Sequence, residues 1–131
     1  MNITPDHSPK EYGLNPKDVD TSKSKMLDIV GESAYQYNIS KLRDAVTAAQ
    51  PGDPWIMLRL NREPSNKHDK NAIQVSAWGV TVGYIARAQA ARMASKLDEL
   101  GGTYHATGKI VGGVRGKRSL GVVGWVEKGK P

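Results

Sequence analysis

Cysteine and phenylalanine are both absent from this chain of 131 residues. Without cysteine, neither a disulfide nor a zinc site built on thiolates can hold the fold together. Without phenylalanine, three tryptophans and five tyrosines supply the large aromatic side chains. Their positions in strand-like runs predict that Trp55, Trp78 and Trp125 pack in the core or on a sheet face.

Long apolar segments are missing as well. No apolar run approaches the ~18 residues of a membrane span, and the amino terminus has no continuous apolar segment typical of a secretory signal. We therefore predict a soluble, cytoplasmic protein with no membrane partner. A chain of this length is expected to form one stand-alone domain.

Residue patterns for metal binding and catalysis are also missing. His7, His68 and His105 share no metal-ligand spacing. The stretch Gly112–Lys117 has too few residues between its glycines for a phosphate-binding loop, and Arg118 stands where that motif has serine or threonine. No serine lies in a nucleophile elbow. The sequence therefore predicts no metal, no cofactor and no enzymatic activity.

Positive charge is concentrated in the second part of the chain. Residues 1–52 contain six basic and seven acidic side chains, a net charge of −1, whereas residues 53–131 contain thirteen and six, a net charge of +7. This asymmetry favours a polyanionic partner such as a nucleic acid, although a solvated basic surface without a partner gives the same numbers.

Two hydrophobic periods define the predicted elements. Short apolar or alternating runs predict six strands, over residues 25–31, 55–60, 71–78, 80–85, 103–111 and 119–126. Spacings of three and four predict helices over residues 39–49 and 87–100. Because strands and helices do not alternate, we predict a mainly β protein, an antiparallel six-stranded barrel with two helices. The domain is expected over residues 25–127, between a flexible N-terminal tail (1–24) and a flexible C-terminus (128–131).

A polar segment, Arg62–Val75, joins two of the predicted strands, and we call it the signature loop. Pro64 fixes its own φ, while Asn66, Asp69 and Asn71 can accept hydrogen bonds from nearby backbone amides in tight turns. We therefore predict a shaped surface loop. Its polar side chains either serve only the backbone of the loop or also bind a ligand.

Three linked motifs resemble those of the HIRAN domain family. Val30–Tyr35 resembles its first strand and Val-Gly opening, Leu60–Val75 its Arg-Asp/Glu-Pro-x-Asn-x-x-Asp-x-Asn-Ala-Ile-x-Val core, and Val82–Arg87 its Val-Gly-Tyr-Leu-Pro-Arg/Lys segment. The resemblance implies an OB-like barrel. It also implies a non-catalytic module that binds the 3′ end of single-stranded DNA in DNA repair or replication-fork processing.

The resemblance further implies a set of nucleic-acid-binding residues. An aromatic ring stacks on the terminal base, the signature loop meets the last nucleotide and its 3′-hydroxyl, and two residues before the second helix face the phosphates. Tyr35 matches the stacking ring. Asn66, His68 and Asp69 match the loop residues, and Tyr84 and Arg87 match the residues that face the phosphates. Ser33, beside the first strand, is also predicted to bind the nucleic acid. A basic cluster at the tip of the last hairpin is predicted to contact the backbone: Arg115, Lys117 and Arg118.

This chain departs from the DNA-end-binding members at two places. Ser33 and Ala34 stand where those members have a basic and an aromatic residue, and Gly112-Gly113 replaces an aromatic-bearing hairpin. Fewer stacking platforms predict weak, sequence-tolerant binding. Two other classes of function stay open: a protein-interaction module that recruits a DNA-processing partner, and a small hydrolase acting on nucleic acid, which would need clustered carboxylates and a metal.

Overall fold

The computed structural model describes residues 3–6, 24–112, 119–127 and 131. Most of the predicted N-terminal tail, and residues 128–130 of the predicted C-terminus, lie outside this range. Within the tail, Ile3 packs against the core and Asp6 forms an ion pair with Arg59. The elements in chain order are β1 (Ser24–Met26), β2 (Ile29–Val30), a 3-10 helix (Glu32–Tyr35), α1 (Gln36–Ala49), β3 (Trp55–Arg62), β4 (Ile73–Ala77), β5 (Val80–Ile85), α2 (Arg87–Glu99), β6 (Thr103–Gly112) and β7 (Leu120–Glu127).

Seven antiparallel strands form one curled sheet in the order β1-β7-β6-β3-β4-β5-β2. The predicted mainly β, OB-like fold with two helices is confirmed, with seven strands instead of six. The difference lies in the predicted first strand, residues 25–31, which is two strands that pair with opposite ends of the sheet. Between them, buried Leu27 donates from its amide to Gly124, and the Asp28 carbonyl accepts from Ala86. A single short segment therefore contacts both margins of the curled sheet.

The core lies inside the barrel, and burial alternates along β4 and β7. In β3, Ile56, Leu58 and Leu60 are at most 1% exposed and point to one side. The helices cover the rest of the core with residues spaced by three or four: Ile39, Leu42 and Val46 from α1, and Ala90, Met93 and Leu97 from α2.

Trp78 is the one tryptophan that belongs to this core, with 3% of its surface exposed. Its φ of 51° is left-handed, and the following Gly79 has φ 85°. Two successive positive φ angles form the tight turn that matches the twist of a two-stranded hairpin, here between β4 and β5. The predicted turn at Gly79 is therefore confirmed, and burial of the indole offsets the unfavourable φ of Trp78.

Side chains form hydrogen bonds with backbone groups of β7 in the part of the strand that β1 does not pair with. The Gln36 amide donates to the Leu120 carbonyl at 2.7 Å and accepts from the Leu120 N–H at 2.8 Å. The Glu32 carboxylate accepts from the Val122 N–H at 2.7 Å. These bonds fix the 3-10 helix and the start of α1 against the sheet. The predicted helix at 39–49 consequently begins earlier, at Gln36.

Two glycines make room for Leu58 inside the barrel. A Cβ atom added at Gly108 would lie 2.5 Å from Leu58 Cδ1, 2.7 Å from Leu58 Cγ and 2.7 Å from the Val123 carbonyl oxygen. One added at Gly124 would meet only Leu58 Cδ1 below 3.0 Å. The backbone carbonyl cannot move aside as the tip of a leucine can.

Gly108→Ala is therefore expected to lower the free energy of unfolding by about 1–3 kcal/mol, the usual cost of overpacking a core. Gly124→Ala is expected to cost less, because rotation of Leu58 relieves its contact. Urea denaturation of both variants measures the difference. Equal losses, or a greater loss for Gly124→Ala, would contradict this account of the packing.

Candidate nucleic-acid interface

Arg62 holds the signature loop in place. Its side chain is only 7% exposed and forms an ion pair with Asp98 of α2, with Nε 2.9 Å from Oδ1. The same guanidinium donates to the carbonyl oxygens of Ala72 at 2.8 Å and Lys70 at 3.0 Å. A buried guanidinium needs such acceptors to offset its desolvation. It therefore joins the end of β3, the far side of the loop and α2.

Two side chains of the loop bond its own backbone, as predicted. Asn66 Oδ1 accepts from the amides of His68 and Asp69, at 2.8 and 3.1 Å. Asp69 Oδ1 accepts from the Asn71 amide at 2.9 Å. These turns are the structural role that the sequence left open. The second carboxylate oxygen of Asp69, Oδ2, lies 3.8 Å from Arg87 Nε, beyond hydrogen-bonding distance.

Glu63 connects the loop to the aromatic residues beside it. Its Oε1 atom accepts from Asn66 Nδ2 at 3.0 Å and from the Tyr84 hydroxyl at 2.9 Å. The Tyr84 ring lies 6.5 Å from that of Tyr35, tilted by 41°. Glu63 was not among the predicted site residues, although it lies in the Arg-Glu-Pro start of the motif. Only its approach to Tyr84 in the folded chain reveals this role.

A bulge in β5 sets the direction of Tyr84. Val75 and Ser76 are adjacent in β4, but they pair with Gly83 and Thr81 of β5, which leaves Val82 as an extra residue. Gly83 also fits closely under β2, where an added Cβ would lie 2.7 Å from the Val30 carbonyl oxygen. The Val-Gly-Tyr sequence therefore places a ring next to Glu63 while its neighbours stay buried.

Burial raises the pKa of Tyr84 to about 12, and the hydrogen bond to the negatively charged Glu63 adds to the effect. Both causes disfavour the tyrosinate, since a carboxylate accepts from a neutral phenol and repels its anion. Tyr84 is therefore a hydrogen-bond donor across the physiological pH range.

The loop and the first turn of α2 enclose an open groove of about 380 Å³. Lys67, Lys70 and Arg87 bring positive charge to it, and Arg87 is 80% exposed. The first turn of α2 contains no acidic residue and no side-chain cap. Its amide groups therefore add partial positive charge at the same end. The groove combines cations suited to phosphate with one carboxylate suited to a hydroxyl group.

The structure brings most of the predicted site residues together. Asn66, His68, Asp69 and Arg87 line the groove, and Glu63 links it to Tyr84 and Tyr35. Ser33 is exposed on the 3-10 helix and does not line the groove. Arg115, Lys117 and Arg118 lie outside the described residues. A role in binding stays a prediction for all of them.

Over residues 3–6, 24–112, 119–127 and 131, no three histidine or acidic side chains are grouped so that they could hold a metal ion. Within the same ranges, no helix has the length and apolar character needed to cross a membrane.

The curled antiparallel sheet, its two helices and the polar groove define the class of small OB-like β-barrel domains. The family model described as HIRAN domain matches residues 33–120, two thirds of the chain, and the chain belongs to this family. The family is associated with DNA binding. Comparisons with curated proteins and with solved structures found no match.

Glu63→Gln is expected to lower the pKa of Tyr84 below about 12 while leaving it above its ordinary value of 10.0, because burial persists when the negative charge is removed. Stability linked to this phenol is complete below the pKa of the unfolded chain and is lost as pH rises toward the folded value. Ultraviolet titration, with Tyr84→Phe to identify the signal, measures the shift. An unchanged pKa would show that Glu63 does not act on this hydroxyl.

Proposed function

We propose that this domain binds the 3′ end of single-stranded DNA without catalysing a reaction, and that it serves DNA repair or replication-fork processing in the cytoplasm. The observation that carries the proposal is the divided use of Asp69. One of its oxygens holds the turn, and the other is near Arg87 in a groove that is otherwise basic. A terminal 3′-hydroxyl can donate to that oxygen while Arg87 meets the adjoining phosphate.

Base stacking is assigned to Tyr35, with Tyr84 behind it. Tyr35 is half-buried and packs against the core, so part of its ring is held and part is exposed. A held ring loses little entropy when a base stacks on it. Ser33 and Ala34 are exposed beside it but offer no ring. We therefore expect weak binding with little sequence preference, since a stacked base contributes roughly 1–3 kcal/mol.

A binding role is favoured over hydrolysis because Glu63 and Asp69 each have a structural contact, and the described residues include no group of acidic side chains that could hold a metal ion. Glu63 accepts from Tyr84 and Asn66, and Asp69 from the backbone of the loop. Hydrolysis would need carboxylates grouped around a metal-bound water. Incubation of labelled DNA with magnesium or manganese tests this point, and cleavage that disappears in Asp69→Asn would reject the non-catalytic proposal.

Asp69→Asn is expected to abolish a preference for free 3′ ends. In the wild type, a 3′-phosphate removes the hydroxyl that donates to Asp69 and places a negative charge opposite its carboxylate. We expect this to weaken binding by about 1–3 kcal/mol, or roughly 5- to 150-fold in affinity. Asparagine retains the oxygen that accepts from Asn71 but carries no charge. Anisotropy titrations compare 3′-hydroxyl and 3′-phosphate strands of one sequence. Equal affinity of the wild type for both would reject end recognition.

Arg87→Ala is expected to flatten the salt dependence of binding. Each phosphate contact on a single strand contributes about −0.7 to the slope of log affinity against log salt. Arg92 is exposed on the same helix but does not line the groove, so Arg92→Ala is the matched control. Titrations at several salt concentrations give both slopes. Binding that does not respond to salt would favour a protein partner instead.

A further inference from the structure

Trp55 and Trp125 differ from Trp78 in that they do not belong to the core. Both are half-buried, and neither is among the side chains that form the core or pack against it. Their ring centroids are 5.9 Å apart with a tilt of 53°. Met57 and Thr107, which share a face of the sheet with the two rings, are buried, so the rings help to cover the sheet, and their accessible parts can also serve a ligand.

The register of the sheet places this pair on its outer face. In β3, Ile56 and Leu58 point into the barrel, so Trp55 points away from it. Trp55 pairs with Lys109 of β6, and Trp125 of β7 pairs with Thr107, two residues before Lys109. The indoles therefore flank β6 on one face. Lys109 Nζ lies 5.1 Å from the centre of the Trp55 ring.

The backbones that carry both rings are firmly held. The Trp55 amide donates to Asp53 Oδ1 at 3.0 Å, and its carbonyl accepts from Gln50 Nε2 at 2.6 Å. Trp125 lies in the middle strand of three, between Met26 and Thr107. Little conformational entropy of the protein is therefore lost when a ligand stacks on these rings.

We propose that Trp55, Trp125 and Lys109 form a second contact for single-stranded nucleic acid, an aromatic platform on which a base stacks while Lys109 meets a phosphate. Every base has a face that can stack, and a lysine resting on a partly exposed ring can turn toward a phosphate. The basic charge of residues 53–131 favours a polyanion over a neutral or basic protein surface, and the stacking rings favour a nucleic acid among polyanions.

This proposal rests on the nucleic-acid-binding function but not on end recognition. Trp55 begins β3 and Arg62, which holds the signature loop, ends it. At about 3.3 Å per residue the two are roughly 23 Å apart. Arg59 lies between them in an ion pair with Asp6, Nε to Oδ2 2.8 Å. The platform is thus separate from the groove, and a strand must be long enough to reach both.

Two strands distinguish the sites. A strand of about 4 nucleotides with a 3′-hydroxyl tests the groove, and one of about 12 nucleotides with a 3′-phosphate, within the range bound by OB folds, tests the platform. The long strand is expected to quench tryptophan fluorescence in the wild type and in Trp78→Phe. Trp55→Leu and Trp125→Leu are expected to weaken its binding about 5- to 150-fold, while binding of the short strand stays unchanged.

Trp55→Phe is the conservative variant and should retain most of the affinity for the long strand. If a leucine variant fails to fold, quenching in the wild type and in Trp78→Phe decides the question. Unquenched tryptophan at saturating long strand, or leucine variants with wild-type affinity, would overturn the platform and leave a protein partner as its occupant. If only the hydroxyl preference of the short strand is missing, end recognition fails and the platform stands.

Discussion

The buried guanidinium of Arg62 links the parts of this domain that act together. It lies where β3 ends, it donates to the carboxylate of Asp98 on α2, and it donates to two carbonyls across the signature loop. Asp98 lies in the last turn of α2, so this ion pair ties the loop to the far end of the helix, while Arg87 of the first turn approaches the loop near Asp69. Because a charge removed from water requires all of these acceptors, the geometry of the groove is coupled to the stability of the barrel.

Within the loop, single side chains make more than one contact. Asp69 uses one oxygen for a turn and keeps the other beside Arg87. Glu63 positions Asn66 and a neutral Tyr84 with the same atom. The turn-forming role of Asn66 and Asp69 is observed and their ligand-binding role stays a prediction, because the sequence of a loop does not show which side-chain atoms its backbone occupies.

Local patterns predicted the elements well but not the contacts between distant ones. Alternation placed β3 to β7, and the spacing of apolar residues placed α2 within one residue of its observed limits. The split of residues 25–31 could not be seen, because an apolar run does not show that its pairing partner changes midway. Likewise, the sequence predicted core or sheet-face packing for Trp55 and Trp78 alike, because a strand pattern does not show which face of a curled sheet is covered.

The side-chain bonds along β7 have a consequence for self-association. The strands that terminate the sheet order, β1 and β2, have only three and two residues. Beyond β1, the Gln36 amide and the Glu32 carboxylate occupy backbone groups of β7 that another chain could otherwise pair with. Exposed strand margins are templates for intermolecular β-pairing and aggregation. Because side chains cover this margin, few of its backbone groups are left to pair with another chain in fibril-like growth.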